Sequence, residues 1–258
     1  MKLNEKQIIE NWNDLLGRID HQFKGDRKDR LIEMYKHFED RMMFAPASSR
    51  EHYHNCFPGG YVDHVLRVMD CAFDLYNSWM MQGAHTDNYS VEELMFAALN
   101  HDLGKIGDLD NDTYIPNQSE WHRKNQGMIY KHNPNIQYMT VTDRAIWLLQ
   151  HFGVIMSENE YLGLRLTDGM YEEANKGYYI SFMPHKQLRS NIAHILHQAD
   201  MMAARIEFEI EWLPKFSKDS VATPKKNYTL SSNKKSSSKS RALNSVSSPG
   251  LKNMLDSL

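Results

Sequence analysis

The feature of the sequence that most constrains the fold is an apolar run that ends in two side chains able to bind metal. Residues 94–99 are all apolar, and His101 and Asp102 follow after a single asparagine. A buried helix that ends in an imidazole and a carboxylate is costly unless something pairs the two polar groups. A divalent metal ion would pair them, because both residue types are good ligands for such ions. A hydrogen-bonded helix end without metal is the alternative that this dipeptide leaves open.

Two more polar residues lie within apolar helical patterns far along the chain from this pair. His64 lies at the start of a predicted helix, and Asp200 lies in the last long one. With His101 and Asp102 they form the pattern H…HD…D, which resembles the HD-domain superfamily of metal-dependent phosphohydrolases. The flanking words Gly-Gly-Tyr, His-Asp-Leu-Gly-Lys and Leu-His-x-Ala-Asp also match, and the resemblance spans residues 57–204.

The resemblance implies an all-α HD-domain helical bundle in which these four residues bind one or two divalent ions. Mixed histidine and aspartate ligands suit Mn, Fe, Co, Ni or Zn better than Ca. Two-metal members of the family add histidines between the HD pair and the last aspartate, so His132 and His151 are the candidates for a second ion. His151 ends an apolar helical segment before a glycine, which is also where a cationic side chain is favoured without metal.

Cationic and polar residues near the four predicted ligands are the candidates for binding and activating a substrate. Together with Asp102, we predict catalytic roles for Lys105, which follows the pair, and for Arg67, one helical turn after His64. The predicted substrate-binding residues are Lys105, Asp108, Arg144, Asp168 and Tyr171. A surface ion pair is the alternative for Arg67, and a solvated loop carboxylate is the alternative for Asp108. Thr167 stands where the resemblance leads us to expect histidine.

The expected activity is hydrolysis of a phosphoester in a nucleotide or at the 3′ end of a short single-stranded nucleic acid. A bound metal ion supplies a Lewis acid and an activated water for this reaction. Two other functions remain open. One is oxygen-dependent cleavage at a di-iron centre, which occurs on the same scaffold. The other is a catalytically inactive nucleotide-binding adaptor that recruits a partner through its C-terminal tail.

The charge pattern divides the chain near residue 216. Residues 216–258 carry eight basic and two acidic residues, which leaves 22 basic and 31 acidic residues, a net charge of −9, in residues 1–215. A body this acidic is not a general surface for polyanions, so a nucleic-acid substrate would have to be held locally by a few cations. We therefore predict a helical phosphohydrolase domain over 1–215 and a flexible Ser/Lys-rich tail over 216–258.

Two predictions concern partners and location. Apolar residues in 249–258 fall at helical spacing, so this peptide is a candidate for binding in a partner's groove, with a frayed tail as the alternative. No apolar run has the length of a membrane span, the N-terminus lacks a signal-peptide pattern, and two cysteines are too few for a disulfide framework. These features predict a cytoplasmic protein with no membrane partner.

Helical periodicity and capping residues predict where the main helices lie. Ser90 with Glu93 three residues later predicts a capping box, and Thr142 with Asp143 predicts another helix start. The segments predicted as helical are 5–17, 27–43, 61–81, 91–103, 142–152, 157–166 and 187–212.

Overall fold

Helices account for most of residues 3–215, which are the residues that the computed structural model describes. Within this range there are ten α-helices, namely α1 (Glu5–Gln22), α2 (Gly25–His37), α3 (Glu39–Phe44), α4 (Gly60–Met81), α5 (Val91–Asn100), α6 (Glu120–Gln126), α7 (Val141–His151), α8 (Glu158–Arg165), α9 (Lys176–Tyr179) and α10 (Ile192–Glu211). The expectation of a predominantly helical protein is confirmed for this part of the chain.

A small antiparallel sheet, which was not predicted from the sequence, interrupts the helical pattern. Strands β1 (Tyr114–Pro116) and β2 (Tyr130–His132) pair so that Tyr114 lies opposite His132. Each strand has three residues, which is too short for an alternating pattern to be recognised. The region 106–132, which lies outside the segments predicted as helical, therefore contains two paired strands with α6 between them.

The centre of the fold is the packing of α10 along α4, with α5 against α4 and α8 against α5. The inward face of α4 includes Val65 and Val68, and that of α10 includes Ala199 and Ala203, all fully buried. Because alanine is small, it lets the two helices approach closely. His64 on α4 and Asp200 on α10 are thereby carried toward each other.

Capping residues set several of the helix boundaries. Ser90 and Glu93 form the predicted capping box at the start of α5, where each side chain bonds the backbone N–H of the other. Ser157 and Glu160 form an equivalent box at the start of α8. At α7 the cap is Thr140, whose hydroxyl accepts from the N–H of Asp143, so this helix begins earlier than predicted.

Two long predicted helices differ from the observed ones. The segment 27–43 is split at Phe38, which leaves the helical conformation and buries its ring against Phe152. Helix α10 begins at Ile192 rather than near residue 187, because the preceding residues form a short 3₁₀ turn from Pro184 and then an extended segment. At Phe38, tertiary packing overrides an apolar pattern that continues through the break.

Gly104 allows α7 to contact the segment that follows the HD pair. This residue lies in a 3₁₀ turn (Leu103–Lys105), and a Cβ atom placed on it would lie 2.0 Å from the carbonyl oxygen of Val141. Helix α5 ends at Asn100 rather than at residue 103 as predicted, so the glycine does not terminate it. Its structural role is therefore to admit the backbone of α7.

The predicted tail over 216–258 and the partner-binding peptide over 249–258 lie outside the described residues. Among residues 3–215, no helix is both long enough and apolar enough to cross a membrane.

Candidate metal centre

The end of α5 is anchored by buried hydrogen bonds that fix the direction of the chain before His101 and Asp102. Asn100 is fully buried, and its amide donates to the carbonyl of Phe96 at 2.8 Å. The hydroxyl of Tyr35 donates to the carbonyl of Leu99 at 3.0 Å and also contacts the Asn100 side-chain oxygen at 3.2 Å. The helix therefore ends inside the protein with its polar groups satisfied, and the next two side chains are held in place.

The four residues of the H…HD…D pattern come together in space. The Nε2 atom of His64 lies 3.3 Å from Nε2 of His101, 3.5 Å from Oδ2 of Asp102 and 3.2 Å from Oδ1 of Asp200. Nε2 of His101 is 3.5 Å from the same Asp102 oxygen and 3.8 Å from the same Asp200 oxygen. Helices α4 and α10 and the turn after α5 thus direct two imidazole nitrogens and two carboxylates at one point.

Each imidazole is oriented by a hydrogen bond on the side away from this point. Nδ1 of His101 lies 2.8 Å from the carbonyl of Ala98, to which it can only donate. Nδ1 of His64 lies 3.1 and 3.2 Å from the carboxylate oxygens of Glu207, which is 1% exposed. With the Nδ1 protons placed there, both Nε2 lone pairs can face the cluster, as they do in protein sites where histidine binds metal.

The atom that most directly points to a cation is Oδ2 of Asp102. It is buried, and no donor in the described part of the chain reaches it with hydrogen-bond geometry. The ammonium of Lys105 lies 2.5 Å away as an ion pair, but not along a hydrogen-bond direction. The ligand atoms of His64, His101 and Asp102 lie within 4.8 Å of one another, so these buried residues can hold a metal ion.

The electrostatics of the cluster are those of closely spaced opposite charges. Burial lowers the pKa of His64, but Glu207 and Asp200 outweigh it and raise the pKa to about 10. Burial raises the pKa of Asp200, but the two imidazoles lower it to about 2. The carboxylates of the cluster therefore carry the negative charge that a bound cation requires.

Lys105 and Arg67 are placed differently with respect to the cluster. Lys105 is mostly buried, touches Asp102 and lines the adjoining cavity, as expected for a cation at the mouth of the site. Arg67 instead lies behind His64, where its Nε is 3.1 Å from Glu207 and its guanidinium is 3.8 Å from Asp63. The predicted catalytic contact of Arg67 is therefore not formed, and the residue pairs with the carboxylate that orients His64.

The predicted substrate-binding residues divide into those near the cluster and those used elsewhere. Asp168 as a whole is exposed to solvent. Local desolvation of its carboxyl group and the negative charges of Asp102 and Asp200 raise its pKa, as expected for a carboxyl near the cluster. Solvent access to its side chain moderates that shift. Tyr171 is 81% exposed, with its ring 5.9 Å from that of His197.

The other two predicted substrate-binding residues stabilise local structure. The carboxylate of Asp108 accepts from the N–H groups of Asp110 and Asn111 and closes a tight loop. Arg144 is buried and donates to the carbonyl of Gln137. Both side chains are thus bonded to the backbone of the loops that flank the HD turn.

The two histidines predicted to hold a second ion are not brought to the cluster. Neither belongs to a group of metal-competent side chains within the described residues. His151 is exposed at the end of α7, with its ring against Trp147 and Phe152. His132 is exposed on β2 beside Tyr114 and lines the cavity. Helical spacing identified the position of His151 at a helix end but not the direction in which that end points.

Two residues of the site carried weaker sequence signals. Glu207 lies seven residues after Asp200 on the buried stripe of α10, so it is a charge where the 3.6-residue period demands an apolar side chain. His54 lies in the loop before α4, where no helical period distinguishes it from other loop residues. Its ring stacks on His64 at 4.5 Å between centroids, and its Nε2 is buried without a hydrogen-bond partner in the described residues.

Comparison of the chain with protein-family models, curated proteins and solved structures found no match. The function must therefore be inferred from the geometry and chemistry of the site.

Proposed function

We propose that the protein is a metal-dependent phosphohydrolase of the HD-domain type. The observation that carries this proposal is the convergence of His64, His101, Asp102 and Asp200 on one point inside the protein. Two imidazoles and two carboxylates are a suitable donor set for a first-row transition metal. A divalent ion bound here would supply a Lewis acid and lower the pKa of water for attack on phosphorus.

The residues around the cluster provide functions that such hydrolysis needs from the protein itself. Lys105 directs a positive charge into the cavity beside Asp102, where it can neutralise a non-bridging phosphoryl oxygen. Glu207 and the carbonyl of Ala98 fix the two imidazoles, so the ligand atoms are arranged before substrate arrives.

The di-iron oxygenase alternative requires protein ligands for a second ion. A di-iron centre needs additional protein ligands, and the predicted ones, His132 and His151, are not among the clustered side chains of the described residues. The adaptor alternative also binds a nucleotide in the cavity but predicts no turnover, so an activity assay distinguishes it from the phosphohydrolase.

The test is metal reconstitution followed by a screen of phosphoesters. Metal-stripped protein is loaded in turn with Mn²⁺, Fe²⁺, Co²⁺, Ni²⁺ and Zn²⁺ and assayed on nucleotides, cyclic nucleotides and single-stranded oligomers. We expect turnover with at least one ion, and a loss of about 10³-fold or more in Asp102→Asn together with loss of the bound metal. His21→Ala, which removes an exposed histidine at the end of α1, is the matched control and should retain both.

Two results would count against the proposal. Full activity in Asp102→Asn would show that the cluster is not the catalytic site. Absence of turnover with every ion, with nucleotide binding retained, would favour the adaptor.

A further inference from the structure

A cavity of ≈ 700 Å³ opens directly beside the candidate metal centre. Lys105, which touches Asp102, and His54, which stacks on His64, both lie in its wall. The remaining wall comes from the loop after α3, from β1 and β2, and from the last turns of α10. A molecule in this cavity would therefore reach the cluster through the side on which Lys105 lies.

The wall of this cavity is basic, although the body of the protein is acidic. Four lysine and arginine residues line it, namely Arg50, Lys105, Lys131 and Arg205. No aspartate or glutamate among residues 3–215 lines it. Arg205 pairs with Glu209 outside the cavity, and a surface ion pair of this kind is weak enough to exchange for a phosphate. Residues 1–215 carry a net charge of −9, so this collection of cations is local and selects an anionic ligand.

Aromatic rings contribute to the same wall. Three tyrosines and one phenylalanine contribute, namely Tyr53, Tyr114, Tyr130 and Phe208. Tyr53 is half exposed, and the ring of His52 lies 4.7 Å from its own. Aromatic rings and cations on one wall are characteristic of surfaces that bind unpaired bases and their phosphates, because a base can stack on an exposed ring such as that of Tyr53.

A second cavity of ≈ 560 Å³ continues this surface away from the metal centre. It shares Arg50 and His52 with the first cavity and adds Arg123, Lys124 and Trp212. The two cavities together are lined by six lysine and arginine residues and one glutamate. The first cavity already has the volume of a typical small-ligand pocket, so the second provides room and charge for more than one nucleotide.

We infer that the substrate is a single-stranded nucleic acid of several nucleotides, whose end occupies the first cavity and whose next nucleotides occupy the second. This inference rests on the proposed function for the position of the cleaved phosphodiester, beside Lys105 and the metal centre. Unpaired bases are required because duplex bases cannot stack on Tyr53 or on the rings beside it. The acidic body beyond the two cavities disfavours a long duplex.

The first test measures binding without turnover, on the full chain in EDTA. Fluorescein-labelled oligothymidylates of two, four, six and eight residues are titrated by fluorescence anisotropy, and thymidine monophosphate is used as a competitor. We expect affinity to rise with length up to about four to six nucleotides and then level off. The slope of log affinity against log salt should correspond to about 0.7 ion per phosphate contacted.

Two pairs of variants locate that binding in the cavities. Tyr53→Ala should weaken hexamer binding about tenfold or more, whereas Tyr53→Phe, which keeps the ring, should bind as the wild type does. Arg50→Gln should weaken binding and reduce the salt slope by about 0.7. Lys6→Gln, at an 84% exposed position on α1, is its matched control. Every variant retains residues 216–258, so binding by that basic segment cancels in the comparison.

The outcomes separate this inference from the proposed function. If thymidine monophosphate competes as well as the octamer, or if Tyr53→Ala and Arg50→Gln bind normally, the inference is overturned and the phosphohydrolase assignment is untouched. If binding depends on length and on both residues but no metal supports cleavage, the nucleic-acid site stands and the proposed hydrolase fails.

Discussion

The candidate metal centre and the cavity beside it are built in opposite ways. The centre is made from long helices whose buried faces are regular, with His64 at the start of α4 and Asp200 near the middle of α10. The cavity wall is made mainly from the loop at 47–54, two three-residue strands and one helix end. The centre holds a few ligand atoms to within about half an ångström of the positions that metal binding requires. The cavity wall presents a broad surface of cations and rings.

The difference shows which parts of such a site depend on the core and which do not. A ligand in the centre cannot move unless α4, α5 or α10 moves, because each of these helices is packed on the others. Side chains in the wall, such as Tyr53 and Lys131, are exposed and can change without disturbing the core. Substitutions in the centre should therefore alter metal binding and chemistry, and substitutions in the wall should alter substrate affinity.

The largest effect that would sharpen this contrast is expected at Glu207, which belongs to the centre without being a predicted ligand. Glu207→Gln keeps the shape of the side chain but removes the charge that holds the Nδ1 proton of His64 and pairs with Arg67. We expect metal affinity to fall about 10- to 100-fold, measured by competition with a chelator of known affinity.

The matched control lies two residues further along the same helix. Glu209→Gln removes an exposed carboxylate that pairs with Arg205, and it should leave metal affinity unchanged. If the two variants bind metal equally well, Glu207 does not orient His64 in the way its contacts indicate.

The ligands of the centre could be predicted from the sequence, whereas the residues of the cavity wall could not. His64, His101, Asp102 and Asp200 interrupt strong helical periodicity, so each was visible as a polar residue in an apolar pattern. Glu207 interrupts the same stripe on α10 and could have been found by the same argument.

The cavity wall could not be predicted in this way. Loops and three-residue strands have no period, so nothing local indicates that residues near 50 lie against residues near 130. The backbone pairing of Arg50 with Met128 and of Tyr114 with His132 brings these segments together, and it is a long-range property of the fold. The same limit explains His151, whose helix was predicted but whose exposed orientation was not.

A smaller effect is expected where the HD turn meets α7. Gly104→Ala would place a methyl group 2.0 Å from the carbonyl of Val141, so the backbone of one segment must shift. We expect a loss of about 1–3 kcal/mol in the free energy of unfolding, measured by urea denaturation, together with weaker metal binding because Asp102 is two residues away.

Gly17→Ala is the control for this substitution. It adds the same methyl group within α1, where no atom lies within 4 Å of the new Cβ. Helix propensity then predicts stabilisation by about 0.5–1 kcal/mol. Equal effects of the two substitutions would mean that the close approach of α7 does not constrain the turn.

The smallest effect concerns the other end of α5, which is held by hydrogen bonds to an ionised carboxylate. Burial raises the pKa of Glu93, but the hydroxyl of Ser157, the N–H of Ser90 and the amide of Asn159 outweigh it and lower the pKa overall. A carboxyl group whose pKa is lower in the folded state stabilises the protein above its unfolded pKa, and this stabilisation is lost as the pH falls through the folded value. Glu93→Gln should therefore lower the free energy of unfolding by about 1 kcal/mol at pH 7 and by progressively less below about pH 4.5, measured by urea denaturation across the acid range.

Glu10→Gln is the control, at an exposed position that pairs with Lys6. Its free energy of unfolding should differ from that of the wild type by a few tenths of a kcal/mol both at pH 7 and in the acid range. A cost for Glu93→Gln that does not shrink with acid would mean that the charge of Glu93 does not hold the start of α5, and that the placement of the HD pair depends on the buried end of the helix alone.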